Sequence, residues 1–276
     1  MESPTQLTVD RDKTLRLVQV TDCHLGAEPG EELLGLNTDE SLEDVLQYLK
    51  QREVAPDLVA VTGDIASGGC LPAYQRFLQI ASRYLQSPMA WLPGNHDKAA
   101  TMEQVWRQHT GDPLASVVEM GNWQVILLDS SVPGEEYGNL DAQQLQLLRN
   151  ALTQGTNQHA LIFLHHQPVP VGSAWIDQYI VRSAEAFFNL IDAFPQVKGV
   201  CWGHVHQAFE SERKGVKLWA TPSSCVQFKP GIDEFTVDRL MPGYRWFDLY
   251  PDGQISSGVS RIPEKSYSID YDSAGY

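Results

Sequence analysis

The sequence predicts a mixed α/β protein built in layers, not a purely doubly wound sheet. Three observations lead there. Apolar, branched runs alternate with helix-patterned stretches through the first half of the chain. In the second half, strands follow one another with fewer helices between them. The G-x-G-x-x-G turn that a dinucleotide-binding sheet needs after its first strand is missing, and that position reads Thr21-Asp22-Cys23-His24-Leu25-Gly26.

LRLVQVT (15–21) reads as the first buried strand, rich in branched residues. Residues 38–52 read as a helix, with Thr38 as expected N-cap, Ser41 as second choice and acidic residues in the first turn. DLVAVT (57–62) is the second strand, and PAYQRFLQIASRYLQ (72–86) a helix with Pro72 near its start. MAWL (89–92) is a short third strand, and a helix is expected around 100–108. ASVVEM (115–120) and WQVILLD (123–129) flank Gly121-Asn122, which predicts a hairpin. A helix at 141–152, the strand ALIFLH (160–165), a helix at 183–193 and the strand VKGVCW (197–202) follow. VKLWAT (216–221), YRWFDLY (244–250) and QISSGVS (254–260) complete a β-rich end, the last two joined by a Pro-Asp-Gly turn. Without repeats, linkers or low-complexity stretches, residues 1–276 are expected to form a single domain, with a core over about 14–262 and a polar tail at 263–276.

Hydrophobic residues make up 42% of the chain and charged residues 20%, an ordinary globular balance. The net charge of −15 argues against a nucleic-acid polymer as partner, because phosphate backbones need clustered Lys and Arg. A small anionic substrate stays open, since a bound metal can dominate the local field. No apolar run approaches the ~20 residues of a membrane span. The opening Met1–Lys13 lacks the basic start and apolar core of a leader. The expectation is a cytoplasmic protein with no membrane contact and no evident obligate protein partner. Cys23, Cys70, Cys201 and Cys225 have no metal-finger spacing and are expected to be free thiols.

The chemistry lies at the strand ends. Asp22 and His24 follow the first strand, Asp64 the second, and Asn95, His96 and Asp97 the third. His165 and His166 end ALIFLHH, and His204 and His206 end VKGVCWGHVH. Six of the eight histidines thus fall just after apolar runs, where open α/β sheets build their sites; His109 and His159 fall outside the pattern and read as surface or packing residues. In an extended chain, i and i+2 point to one side, so Asp22 with His24, and His204 with His206, would share a pocket while Cys23 faces away. D-x-H and G-D are weak signals alone, G-H-x-H is stronger and G-N-H-D stronger still; the ordered set is highly specific. Carboxylate, amide oxygen and imidazole together suit Mn, Fe or Zn better than Ca or a thiolate-seeking ion.

The ordered set D-x-H, G-D, G-N-H-D, H and G-H-x-H, spread from residue 22 to residue 206, resembles the calcineurin-like metallophosphoesterases. The resemblance implies an α/β fold, a four-layer αββα sandwich of two mixed sheets flanked by helices, with two metal ions per chain, Fe or Mn first and Zn as an option. By position it implies one ion held by Asp22, His24 and His206, the other by Asn95, His165 and His204, and Asp64 bridging them. All seven positions are filled. Substrate contacts are expected from Asn95, His96, His24 and His166, with His96 protonating the leaving alkoxide around a metal-held hydroxide nucleophile. Asp97 either orients the His96 ring or caps the next helix. Two divalent ions contribute about +4 and the two aspartates about −2, leaving about +2, or about +1 with a hydroxide. A phosphodiester monoanion matches that site, and the neutral Asn95 preserves the attraction.

Four further stretches, ELLGLNTDES (32–41), AWLPGNHD (90–97), ATPSSCVQFKP (220–230) and PGYRWFDLYPDG (242–253), together with SAGY (273–276), are similar to the bacterial class III cyclic-AMP phosphodiesterases. This implies conversion of 3′,5′-cyclic AMP to 5′-AMP, with a cyclic nucleotide as small-molecule partner. Ser223, Ser224 and Gln227 either bind substrate or form a turn cluster, and Asn37 and Thr38 either touch substrate or begin the helix. A nucleotide-lipid hydrolase, a glycerophosphodiesterase, a nuclease or a non-catalytic scaffold are the alternatives.

Overall fold

The computed structural model describes residues 4–52 and 55–275. The ends of the 1–276 span, residues 1–3 and Tyr276, lie outside the described residues. In chain order the elements begin β1 (Thr5–Leu7), β2 (Leu15–Val20), β3 (Glu32–Leu33), β4 (Leu36–Asn37), α1 (Thr38–Arg52), β5 (Leu58–Thr62), α2 (Leu71–Tyr84), β6 (Met89–Leu92) and α3 (Ala99–Thr110). Next come β7 (Val117–Met120), β8 (Trp123–Leu127), α4 (Ala142–Gln154), β9 (His159–Phe163), α5 (Ala174–Asp177), α6 (Ala184–Ile191) and β10 (Val197–Trp202). The chain ends with β11 (Phe209–Arg213), β12 (Val216–Ala220), β13 (Gln227–Phe228), β14 (Val237–Asp238), β15 (Gly243–Leu249) and β16 (Ile255–Arg261).

Two mixed sheets carry the fold. One has five strands in the order β16-β15-β2-β5-β6, the other seven in the order β1-β7-β8-β9-β10-β12-β11. The strand period decides the layers. On β2, Leu15 and Leu17 turn into the space between the sheets, while Val18 and Val20 meet α1 and α2 on the outer side. On β5, Leu58 and Ala60 face inward and Val59 and Val61 outward. Both faces of these strands are buried, so they read as continuous apolar runs without alternation. The second sheet repeats the plan, with Val200 and Trp202 packing under α4 and α6 while Cys201 faces the first sheet. Helices thus cover both outer faces of the sandwich.

Gly121-Asn122 forms the expected hairpin turn, pairing Met120 with Trp123. The N-cap of α1 is a correction: Asn37, not Thr38, holds that place, its Oδ1 accepting from Glu40 N–H at 3.0 Å. Thr38 Oγ1 donates to the Glu31 carbonyl at 3.2 Å, and Ser41 Oγ donates to the Ser224 carbonyl at 2.7 Å. Two edge strands, β1 and β11, were not expected, because TQL and FESER are largely exposed and carry no apolar alternation. The polar tail is not detached. Residues 263–275 lie against α1 and the β3–β4 turn, with Asp270 N–H donating to the Leu34 carbonyl at 2.8 Å.

The topology positions the site. Strands β2, β5 and β6 are parallel neighbours in one sheet, and β9 and β10 in the other. Their carboxyl ends deliver all the candidate ligands to one edge of the sandwich.

Candidate metal centre

Beyond each strand the backbone leaves the extended region. Asp22, His24, Asp64, His204 and His206 all have positive φ, from 48° to 63°. Such left-handed conformations cost roughly 1–3 kcal/mol each in non-glycine residues and persist only where surroundings impose them. The i, i+2 pairs therefore converge through left-handed turns, which corrects the extended-strand argument for them. Cys23 does face away, buried in the cluster beneath α1 and α2.

The imidazoles are oriented from behind. His165 Nδ1–H donates to the Thr62 carbonyl at 2.8 Å, and His206 Nδ1–H to the Val226 carbonyl at 2.8 Å. That orients each ring so that Nε2 points inward, where a cation could displace any proton it carries. His206 Nε2 lies 3.1 Å from His24 Nε2 and 3.4 Å from Asp22 Oδ1. His165 Nε2 lies 3.2 Å from Asp64 Oδ2, and His24 Nε2 3.7 Å from the same oxygen. Ligand atoms of Asp22, His24 and His206 fall within 4.8 Å of one another, as do those of Asp22, Asp64 and His165, and of His165, His166 and His204. Both ring nitrogens of His204 and Asn95 Oδ1 are buried with no hydrogen-bond partner. Unpartnered buried polar atoms are costly, and a cation can satisfy the acceptors among them, Asn95 Oδ1 and one nitrogen of His204. The donor set, all oxygen and imidazole nitrogen, fits two such ions.

Charge follows the same geometry. Burial pushes His24 down to about 3. His165 is also buried, but the Asp64 carboxylate beside it reverses the effect and raises it to about 9. Asp22 and Asp64 stay below the usual carboxylate range despite burial, because His206 faces the first and His165 the second.

Glycines open the room for this approach. A Cβ on Gly94 would sit 2.2 Å from Asp64 Oδ1, and one on Gly203 2.2 Å from Thr21 Oγ1 and 2.7 Å from Asp22 Oδ2. Asp64 Oδ1 in turn accepts the His96 N–H at 2.9 Å, and both Asp22 oxygens accept the His204 N–H at 3.1 Å.

Above the cluster opens a cavity of about 600 Å³, lined by Asn95, His96 and His204 with Trp175, Tyr179 and Phe235 among its walls. His24 and His166, also expected at the substrate, are not among the residues that line it. His24 is buried with its ring 5.0 Å from that of His96, and His166 is fully buried, its Nδ1 2.9 Å from Ser130 Oγ. Both expectations for Asp97 also give way. Its Oδ2 accepts from Gly94 N–H (2.9 Å) and Ile65 N–H (3.3 Å), its Oδ1 from Ala66 N–H (3.1 Å) and Tyr74 O–H (2.9 Å). Four bonds fill a carboxylate. Asp97 clamps the Asp64 loop to the Asn95 loop, and the N-cap of α3 is Lys98.

A family model described as calcineurin-like phosphoesterase matches residues 15–208. The chain belongs to the calcineurin-like phosphoesterase family. Among curated relatives, a 3′,5′-cyclic adenosine monophosphate phosphodiesterase CpdA of Pseudomonas aeruginosa is 43% identical over 265 residues, covering 96% of both chains. The CpdA of Escherichia coli K12 is 39% identical over 277 residues, covering 100% of both. Among solved structures, a dimetal phosphatase from Danio rerio superposes with a TM-score of 0.58 at 15% identity, covering 90% of this chain and 99% of that one, which is likeness of fold.

In this calcineurin-like phosphoesterase the loop 221–227 supports the centre from behind. Ser223 Oγ donates to the Asp22 carbonyl at 2.8 Å and Ser224 Oγ to the Thr21 carbonyl at 3.1 Å. Gln227 Nε2 donates to the Ser223 carbonyl at 2.8 Å, so the turn-cluster alternative prevails for all three. Sequence reasoning missed Phe228, whose ring stacks on His206 at 4.2 Å and 10°, and the walls Trp175 and Phe235. The short α5 and β13 that carry Trp175 and Phe228 have too few residues to show periodicity.

Proposed function

We propose that this protein hydrolyses 3′,5′-cyclic AMP to 5′-AMP. The observation that carries the reading is the cluster of buried Asp22, His24, Asp64, His165, His204 and His206, joined by Asn95, which lines with His204 a cavity of nucleotide size. The near-full-length similarity to the CpdA enzymes supports the choice of substrate.

Asp22, His24 and His206 would hold one ion, Asn95, His165 and His204 the other, with Asp64 between them. Iron or manganese suits these donors. When bound, the pair supplies Lewis acidity and lowers the pKa of water. The chain's own residues do the rest. The Asp64 carboxylate and the Asp97 clamp fix the His96 backbone at the cavity floor. From there the His96 side chain meets the phosphoryl group and gives a proton to O3′ as the P–O3′ bond breaks, a contribution of typically 10²–10⁴-fold. The neutral amide of Asn95 keeps the site attractive to a phosphodiester monoanion. Trp175 and Phe235 offer apolar faces for the nucleoside. A reducing cytoplasm suits the four cysteines, which are unpaired.

Product analysis with metal-reconstituted protein tests this. Cyclic AMP should give 5′-AMP, with turnover lost on chelation. Asn95→Ala and His96→Ala should each lower kcat by about 100-fold or more while the far-ultraviolet spectrum is unchanged. Wild-type activity in both variants, or 3′-AMP as product, defeats the reading.

A further inference from the structure

The cavity has a wall that the metal motifs do not supply. Ala274 and Gly275 lie on its rim, far in sequence from Asn95 and His96. The segment that brings them there is held at successive points. Lys265 Nζ pairs with Glu40 at 2.7 Å, and Tyr267 O–H donates to Asp44 at 2.5 Å. Asp270 N–H donates to the Leu34 carbonyl, and the Arg239 guanidinium lies 4.1 Å from the Tyr271 ring centre.

Its apolar side chains matter as much. Tyr267 and Ile269 pack against Leu36, Cys225, Val226 and Phe228, a cluster that Trp175 and Phe235 also join. Phe228 is the ring that stacks on His206. One cluster therefore touches a candidate metal ligand, two cavity walls and the 263–275 segment.

We propose that residues 263–275 form a strap that completes the nucleoside subsite, and that Ala274 limits the size of what enters it. The inference rests on the cyclic AMP reading of the site. A small residue at the rim leaves space for one nucleoside, and the strap closes that side to a longer chain. Glu136, Asp233 and Glu234 on the same cavity repel further phosphates.

The test uses the metal-reconstituted full chain with two substrates, cyclic AMP and methyl 4-nitrophenyl phosphate, which has no nucleoside. Ala274→Trp should raise KM for cyclic AMP about tenfold or more, with kcat/KM for the small diester falling at most about twofold. A chain ended after Asp270 provides a second variant and should show the same split. Unchanged kinetics on both substrates, or parallel losses on both, overturn the strap. Wild-type protein that cleaves only the small diester overturns the cyclic AMP reading instead. The strap is then judged by inhibition of that reaction by a mononucleotide panel, and identical inhibition of wild type and Ala274→Trp overturns it.

Discussion

Gly203 has no space for a side chain, since a methyl group would press on Thr21 and Asp22 together. Gly203→Ala should therefore cost about 1–3 kcal/mol of stability and displace the first-loop aspartate. Urea midpoints and metal content, both lowered relative to wild type, check this. The glycines of the motifs are legible as motif members, but their reason is not: it depends on loops from two strands meeting. The ligands illustrate the same limit. Residue type and order singled out Asp22, Asp64 and the histidines at the strand ends, which the fold does bring together. Their left-handed backbone could not be read, because Asp and His visit that region more often than most residues but still rarely, and nothing local marks where. Asp97 was misassigned for a related reason. A carboxylate next to a histidine in sequence suggests a partner, but the backbone N–H groups of Gly94 and Ala66 reached it first.

Among the elements, strands with two buried faces were legible, as β2, β6 and β10 show, because short apolar runs with polar ends are too brief for a buried helix. Exposed edges such as β11 were not, because their pairing depends on a neighbour and leaves no pattern in the residues. The 263–275 strap was lost in the same way, its anchors being single residues in a polar stretch. Tyr267 makes it sensitive to alkali. Burial and the Asp44 carboxylate raise its phenol above the ordinary range. A group raised in the folded state stabilises fully below its unfolded value, near 10, and loses that contribution as pH climbs through the folded value. The stability gap between wild type and Tyr267→Phe should be constant from about pH 7 to 9 and narrow above about pH 10. Urea titrations at each pH check it, and a gap that widens with alkali contradicts the assignment.

For the molecule as a whole, cations held in the centre would offset its buried unpartnered atoms and strained loops. Removing the ions should lower Tm. At about 100 times Kd the linkage is worth about 2.7 kcal/mol, and at 2–4 °C per kcal/mol this is roughly 5–10 °C. Calorimetry before and after chelation, with recovery on adding Mn²⁺, measures it. The layered fold class was legible from the change in texture along the chain; the pairing of β1 with β7 across more than a hundred residues was not. That two-sheet plan has a further consequence. Asp22, His24, Asp64 and Asn95 follow strands of one sheet and His165, His204 and His206 strands of the other, so ions held between them would rivet the two plates together. The gap between the plates is filled by side chains such as Leu17, Phe163 and Phe247. Those interior residues therefore set how far apart the two plates, and the loops that leave them, stand.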